Sequence, residues 1–136
     1  MKSSGHPVRF RSGDTSDEAI AGVRAGLAFS IFERLAREYG IAPDTLAATI
    51  GVPPRTLARR KADGRFRADE SDRLARFARV AARATETFES AAKAGRWLQT
   101  PIPVLAGESP LRLLDTDLGA VRVERILGRI DHGVFS

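Results

Sequence analysis

The chain has 136 residues and a mass of 14.7 kDa, room for one ordinary domain or two very small ones sharing a core. Its composition, 43% hydrophobic and 29% charged with a net charge of +5, is that of a globular protein and not of a disordered tail. With no cysteine and only His6 and His132 for histidines, disulfides, thiolate zinc sites and cysteine nucleophiles are excluded, and a histidine metal site or a serine–histidine triad has little to work with.

Residues 1–16 carry Ser, Gly and Pro without periodicity and read as a mobile arm. A short amphipathic helix is expected over Asp17–Leu27, capped by Ser16 with Asp17 and Glu18 in its first turn. A second, over Phe29–Tyr39, places Phe32, Leu35 and Ala36 on one face and is closed by Gly40. Pro43 opens a helix through Thr49 that Gly51 stops, and Pro53-Pro54 opens another ending near Gly64. Over residues 68–87, Leu74, Phe77, Ala78 and Ala81 recur at helical spacing. A helix over Glu89–Leu98 follows, with Ala91, Ala92 and Ala94 small enough for close packing. Thr100-Pro101-Ile102-Pro103 must be extended, and Ser109-Pro110 starts a short helix. The last helix spans Asp117–Asp131, with Val123, Ile126, Leu127 and Ile130 on one face and Gly133 ending it. No alternating run argues for a strand, so the fold is expected to be all-α.

The longest apolar stretch, Ala19 to Phe32, is broken by Arg24, so no membrane span is expected, nor is a signal-peptide core. A cysteine-free chain of this kind suits the cytoplasm.

The positive charge is concentrated. Residues 51–83 hold ten Lys/Arg against four acids, a local +6, and the remainder sums to −1. Such a window is the electrostatic footprint of a polyanion binder, most often nucleic acid. Part of it reads equally as a solvated helix face, because Asp69–Arg73 and Asp72–Arg76 have the favoured acid-then-base spacing, whereas Arg79 and Arg83 have no such partner.

Inside that window, Leu46 to Leu57 has the spacing of a helix-turn-helix. Ala47 is the small residue at the helix crossing, and Gly51, four positions on, supplies the positive φ of the turn. Leu46, Ile50, Val52 and Leu57 are apolar where the two helices share a core. With Leu57 inward, Arg55, Thr56, Arg59 and Arg60 point outward, with Lys61 beside them, suited to phosphate contact and base-edge readout in a major groove. Pro53 replaces the usual Ser or Thr cap, and Arg60, three after Leu57, stands at a position often apolar in such motifs.

The run Gly51-Val52-Pro53-Pro54-Arg55-Thr56-Leu57-Ala58-Arg59-Arg60 resembles the Xre-like helix-turn-helix of the Xre/MbcA/ParS antitoxins. So does the C-terminal half: the Ala-rich helix with Trp97-Leu98, the loop Thr100 to Gly107, Ser109 to Thr116, Gly119-Ala120-Val121, and Leu127-Gly128-Arg129-Ile130-Asp131-His132-Gly133-Val134-Phe135. The resemblance covers roughly residues 28–136. It implies a type II antitoxin that binds a RES-domain toxin, an ADP-ribosyltransferase-like enzyme that depletes NAD, blocks its active site, and represses its own operon.

The implied division is an arm over 1–16, a helix-turn-helix domain over 17–83 and a toxin-binding domain over 84–136. The implied toxin-binding residues are Arg129, Ile130, His132, Gly133, Val134, Phe135 and Ser136. A homodimer and operator DNA follow as partners, with no enzyme activity, cofactor or metal. Trp97, the only tryptophan, is expected to be structural, locking its helix against the proline loop and the last helix. A stand-alone helix-turn-helix regulator without a toxin partner is the alternative.

Overall fold

The computed structural model of the chain describes residues 9–133, so the expectations placed on Val134, Phe135 and Ser136 fall outside the described residues. Its elements are α1 (Asp17–Ala25), α2 (Phe29–Tyr39), α3 (Pro43–Thr49), α4 (Pro54–Asp63), α5 (Ala68–Phe88), α6 (Ala91–Leu98), 3₁₀ segments at Pro103–Leu105 and Pro110–Asp115, and α7 (Asp117–Asp131). Among the described residues there is no strand, only an isolated antiparallel bridge between Ala28 and Arg65. The fold is all-α.

Helices α2, α3, α4 and α7 lie where proline starts, glycine stops and apolar spacing predict them. Three segments differ, each for a local reason. The first helix ends at Ala25 rather than Leu27, because the Leu27 N–H donates to Ser71 Oγ (2.8 Å) and its carbonyl accepts from the Phe66 N–H (2.9 Å). Helix α6 begins at Ala91 rather than Glu89. Ser90 Oγ accepts from the Lys93 N–H at 3.1 Å, and Glu89, at φ 61°, reverses the chain out of α5. Residues 9–16 are less arm-like than composition suggests. Asp14 accepts from the Ser16 and Arg11 N–H groups, and Phe10 packs against the core.

The core is organised around α5. Leu74, Phe77, Ala81 and Ala84 have no exposed surface, and α1, α2, α6 and α7 all pack on this helix. Phe29, Phe32 and Phe66 form one aromatic cluster with ring centroids 5.3–5.7 Å apart, and Tyr39 meets Phe77 edge-on at 5.9 Å. Burial pushes the Tyr39 phenol up from its usual value, although Thr85 hydrogen-bonds to it. One continuous cluster of buried side chains runs from Leu27 to Leu127.

One tight helix contact lies between α6 and the end of α2. A Cβ built on Gly95 would lie 1.8 Å from the Tyr39 carbonyl oxygen, so close packing rests on this glycine more than on the neighbouring alanines. Trp97 is half-buried against the core, and its ring meets that of Phe88 at the end of α5, with centroids 5.5 Å apart.

Candidate functional site

The helix-turn-helix is built as its spacing predicts. Ala47, Leu46, Ile50 and Val52 are buried, Gly51 adopts φ 68°, and the Val52 N–H closes the turn onto the Ala47 carbonyl at 2.9 Å. Leu57 is half-buried and packs on the core. A further device holds the turn: Arg73 of α5 donates from Nε to the Ile50 carbonyl at 2.7 Å, and its guanidinium lies over Gly51. As expected, Pro53 offers no side-chain cap to α4.

On α4, Arg55, Arg59 and Lys61 are exposed and Thr56 is half-buried, so four of the five predicted DNA-facing residues reach or border the surface. Arg60 does not. It is only 4% exposed, and its Nε donates to Glu70 Oε1 at 2.8 Å, with Asp63 at 3.5 Å from Nη1. The same Glu70 oxygen accepts from the Arg67 N–H at 2.9 Å, capping α5. Burial raises the Glu70 carboxyl, but the hydrogen bonds from Arg60 and Arg67 and the Arg60 charge outweigh it and hold the group below its usual value. The helical period turns position 60 inward, three after Leu57, and the arginine survives there because Glu70 meets it.

Other arginines of the basic window are also bound internally. Arg65 donates to the Ala25 and Gly26 carbonyls. Arg76 pairs with Asp117 at 2.9 Å and donates to the Leu114 carbonyl, in place of the expected partner Asp72. Arg83, which has no acid four residues before it, binds Asp131 at the end of α7 and Thr87. Asp69–Arg73, at 3.9 Å, is the one pair present that the spacing predicted. Partners 38 to 48 residues away leave no periodic trace in the sequence.

At the other end, α7 carries exposed Arg129 and half-buried Ile130. His132 is exposed, with Nδ1 2.7 Å from the Gly128 carbonyl oxygen, and Gly133 takes φ 69°. Thr87 and Arg83 hydrogen-bond the Asp131 carboxylate and hold it below its usual value, fixing the helix end onto α5. Sequence reasoning missed a surface beside it. Leu118 is 84% exposed and Val121 40%, and both line a groove with Val104, Arg122 and Arg125. Helical spacing from Leu118 could have found it.

Among the described residues no three of His, Asp and Glu converge as a metal site, and no helix is long and apolar enough to cross a membrane. Residues 18–79 match the antitoxin Xre-like helix-turn-helix domain, and residues 83–133 match the antitoxin Xre/MbcA/ParS C-terminal toxin-binding domain. The chain is 37% identical over 119 residues to the antitoxin Xre of Yersinia enterocolitica, covering 86% of this chain and 80% of that one. It is 35% identical over 113 residues to the antitoxin Xre of Photorhabdus laumondii, covering 82% and 76%. A chain in the crystal structure of the M. tuberculosis MbcT–MbcA toxin–antitoxin complex shares the fold, with a TM-score of 0.59 at 23% identity over 79% of this chain and 96% of that one. A helix-turn-helix with an exposed basic helix, joined through one core to a matching C-terminal domain, makes this chain a member of the Xre/MbcA/ParS antitoxin family.

Proposed function

We propose that the protein neutralises a RES-domain, NAD-depleting toxin by blocking its active site, and that a homodimer of it binds operator DNA to repress its own operon in the cytoplasm. Membership of the antitoxin family supports the first part, together with the presentation of the α7 end. Arg83 and Thr87 fix Asp131, so the helix leads Arg129, Ile130, His132 and Gly133 to the surface in a set direction. Val134, Phe135 and Ser136 follow Gly133 in the sequence. An aromatic ring with an apolar neighbour supplies binding energy when it is buried in a partner. Exposed Arg55, Arg59 and Lys61 support the DNA part.

The test is growth of cells expressing the RES-type protein of the neighbouring reading frame, with the intact chain or with one ending at Gly133. The intact chain restores growth, and the shortened chain, at equal expression and with operator binding retained, does not. Rescue by the shortened chain refutes the role given to Val134–Ser136. Absence of any effect of the intact chain on the toxin favours the stand-alone regulator.

A further inference from the structure

The outward face of α7 is unusual for a helix face that no other described residue covers. Leu118 is 84% exposed, and Val121 and, on the neighbouring 3₁₀ segment, Val104 are 40% and 51% exposed. They line one shallow groove. Arg122 and Arg125 rise from the same face, and Arg129 continues the row by one turn. Residues three and four apart on a helix are neighbours, so Arg122–Arg125 and Arg125–Arg129 are like-charge neighbours that weaken the helix. No carboxylate stands three or four positions from Arg122 or Arg125, and neither makes an ion pair with another described residue. The face therefore holds stacked positive charge beside apolar surface.

We propose that this face is a second contact surface for the toxin, docking a segment that carries carboxylates flanking an apolar side chain. The inference rests on the antitoxin reading and assigns it contact residues other than Val134, Phe135 and Ser136. Charge complementarity selects the occupant. A second copy of this chain related by a two-fold axis brings the same patch against itself, setting Arg122 and Arg125 opposite their own copies. Nucleic acid answers the arginines but leaves Leu118, Val121 and Val104 without apolar cover. An acidic, apolar-edged protein segment satisfies both. The surface also runs straight into Arg129, so one continuous interface extends from the groove to the end of the helix.

The experiment measures binding of the full chain to the RES-type protein of the neighbouring reading frame by calorimetry, at low and high salt. Variants are Arg122→Glu/Arg125→Glu and, separately, Leu118→Ser, both at exposed positions where the melting temperature stays at the wild-type value. The charge reversal weakens binding by about tenfold or more and removes most of its salt dependence, and Leu118→Ser weakens binding at both salt concentrations. Leu118→p-benzoylphenylalanine photo-cross-links to the toxin. Wild-type affinity in both variants overturns the proposal while leaving the antitoxin reading intact. So does a cross-link to a second copy of this chain, or a loss confined to operator binding. If the intact chain itself does not bind the toxin, the antitoxin reading fails first.

Discussion

Gly95→Ala adds a single methyl group to a helix, and the structure makes it a severe change. The new carbon would sit 1.8 Å from the Tyr39 carbonyl oxygen and 2.7 Å from its carbon, both backbone atoms that no rotamer change can move. Non-bonded carbon and oxygen keep about 3 Å or more, so α6 and the end of α2 must part by more than about 1 Å. A gap of that size forfeits a quarter to a half of the dispersion energy along the contact, which includes buried Ala94, Leu98 and Tyr39. Overpacking costs about 1–3 kcal/mol, and more where backbone is struck, against a gain of about 1 kcal/mol from replacing a helical glycine. With backbone struck, the cost is taken above that range, at about 3–4 kcal/mol, and the net expectation is a loss of about 2–3 kcal/mol, a fall of roughly 8–12 °C in melting temperature for a chain of this size. The control is Gly128→Ala in α7, where nothing lies within 4 Å of the new carbon. That variant is expected to melt at or above wild type by up to about 1 kcal/mol. Thermal unfolding followed by circular dichroism of the three proteins decides the matter. Equal melting of the two alanine variants refutes the close approach of α6 to Tyr39.

Arg60→Met removes the partner of Glu70 and is expected to lower the melting temperature while leaving the salt dependence of operator binding unchanged. Arg55→Ala/Arg59→Ala is expected to do the reverse, keeping stability and flattening the log–log salt slope by about two units. Shift assays across salt concentrations with parallel melts separate the two. The acid limb of stability follows from Glu70 and Asp131. Their carboxyls lie below their usual values when folded, so the unfolded chain binds more protons in that range and stability rises with pH there. The contribution is complete above about pH 4.5 and is lost as pH falls through the folded values. Melting between about pH 3 and 7 is expected to show this fall, and Glu70→Gln to make it shallower.

Elements whose signals are local were legible in the sequence. Pro43, Pro54 and Pro110 start helices or turns, Gly40, Gly51 and Gly64 adopt left-handed angles where helices end, and α2 and α7 carry apolar stripes that set their bounds. The helix-turn-helix was legible because Ala47 and Gly51 are fixed by backbone geometry. The fate of each arginine was not. Arg55 and Arg60 look alike in a charge count, yet one is exposed and the other is bound to a carboxylate ten residues away. Arg65, Arg73, Arg76 and Arg83 are bound by groups brought near only by the tertiary fold. Position 60 did carry a signal, its inward phase relative to Leu57. The Leu118–Arg125 surface lies opposite the buried stripe of Val123, Ile126 and Leu127, and periodicity marks the stripe rather than the face opposite it.

Helix α5 crosses from residue 68 to 88 and so runs through the point, between residues 79 and 83, where the two family domains meet. The same helix supplies the floor for α1 and α2 and for α6 and α7. What evolution treats as two modules is here one melting unit, since stripping either half uncovers Phe77, Val80 and Ala81 beneath the other. Local opening of either half therefore exposes apolar surface of the other, and the two halves are expected to unfold in one transition rather than two.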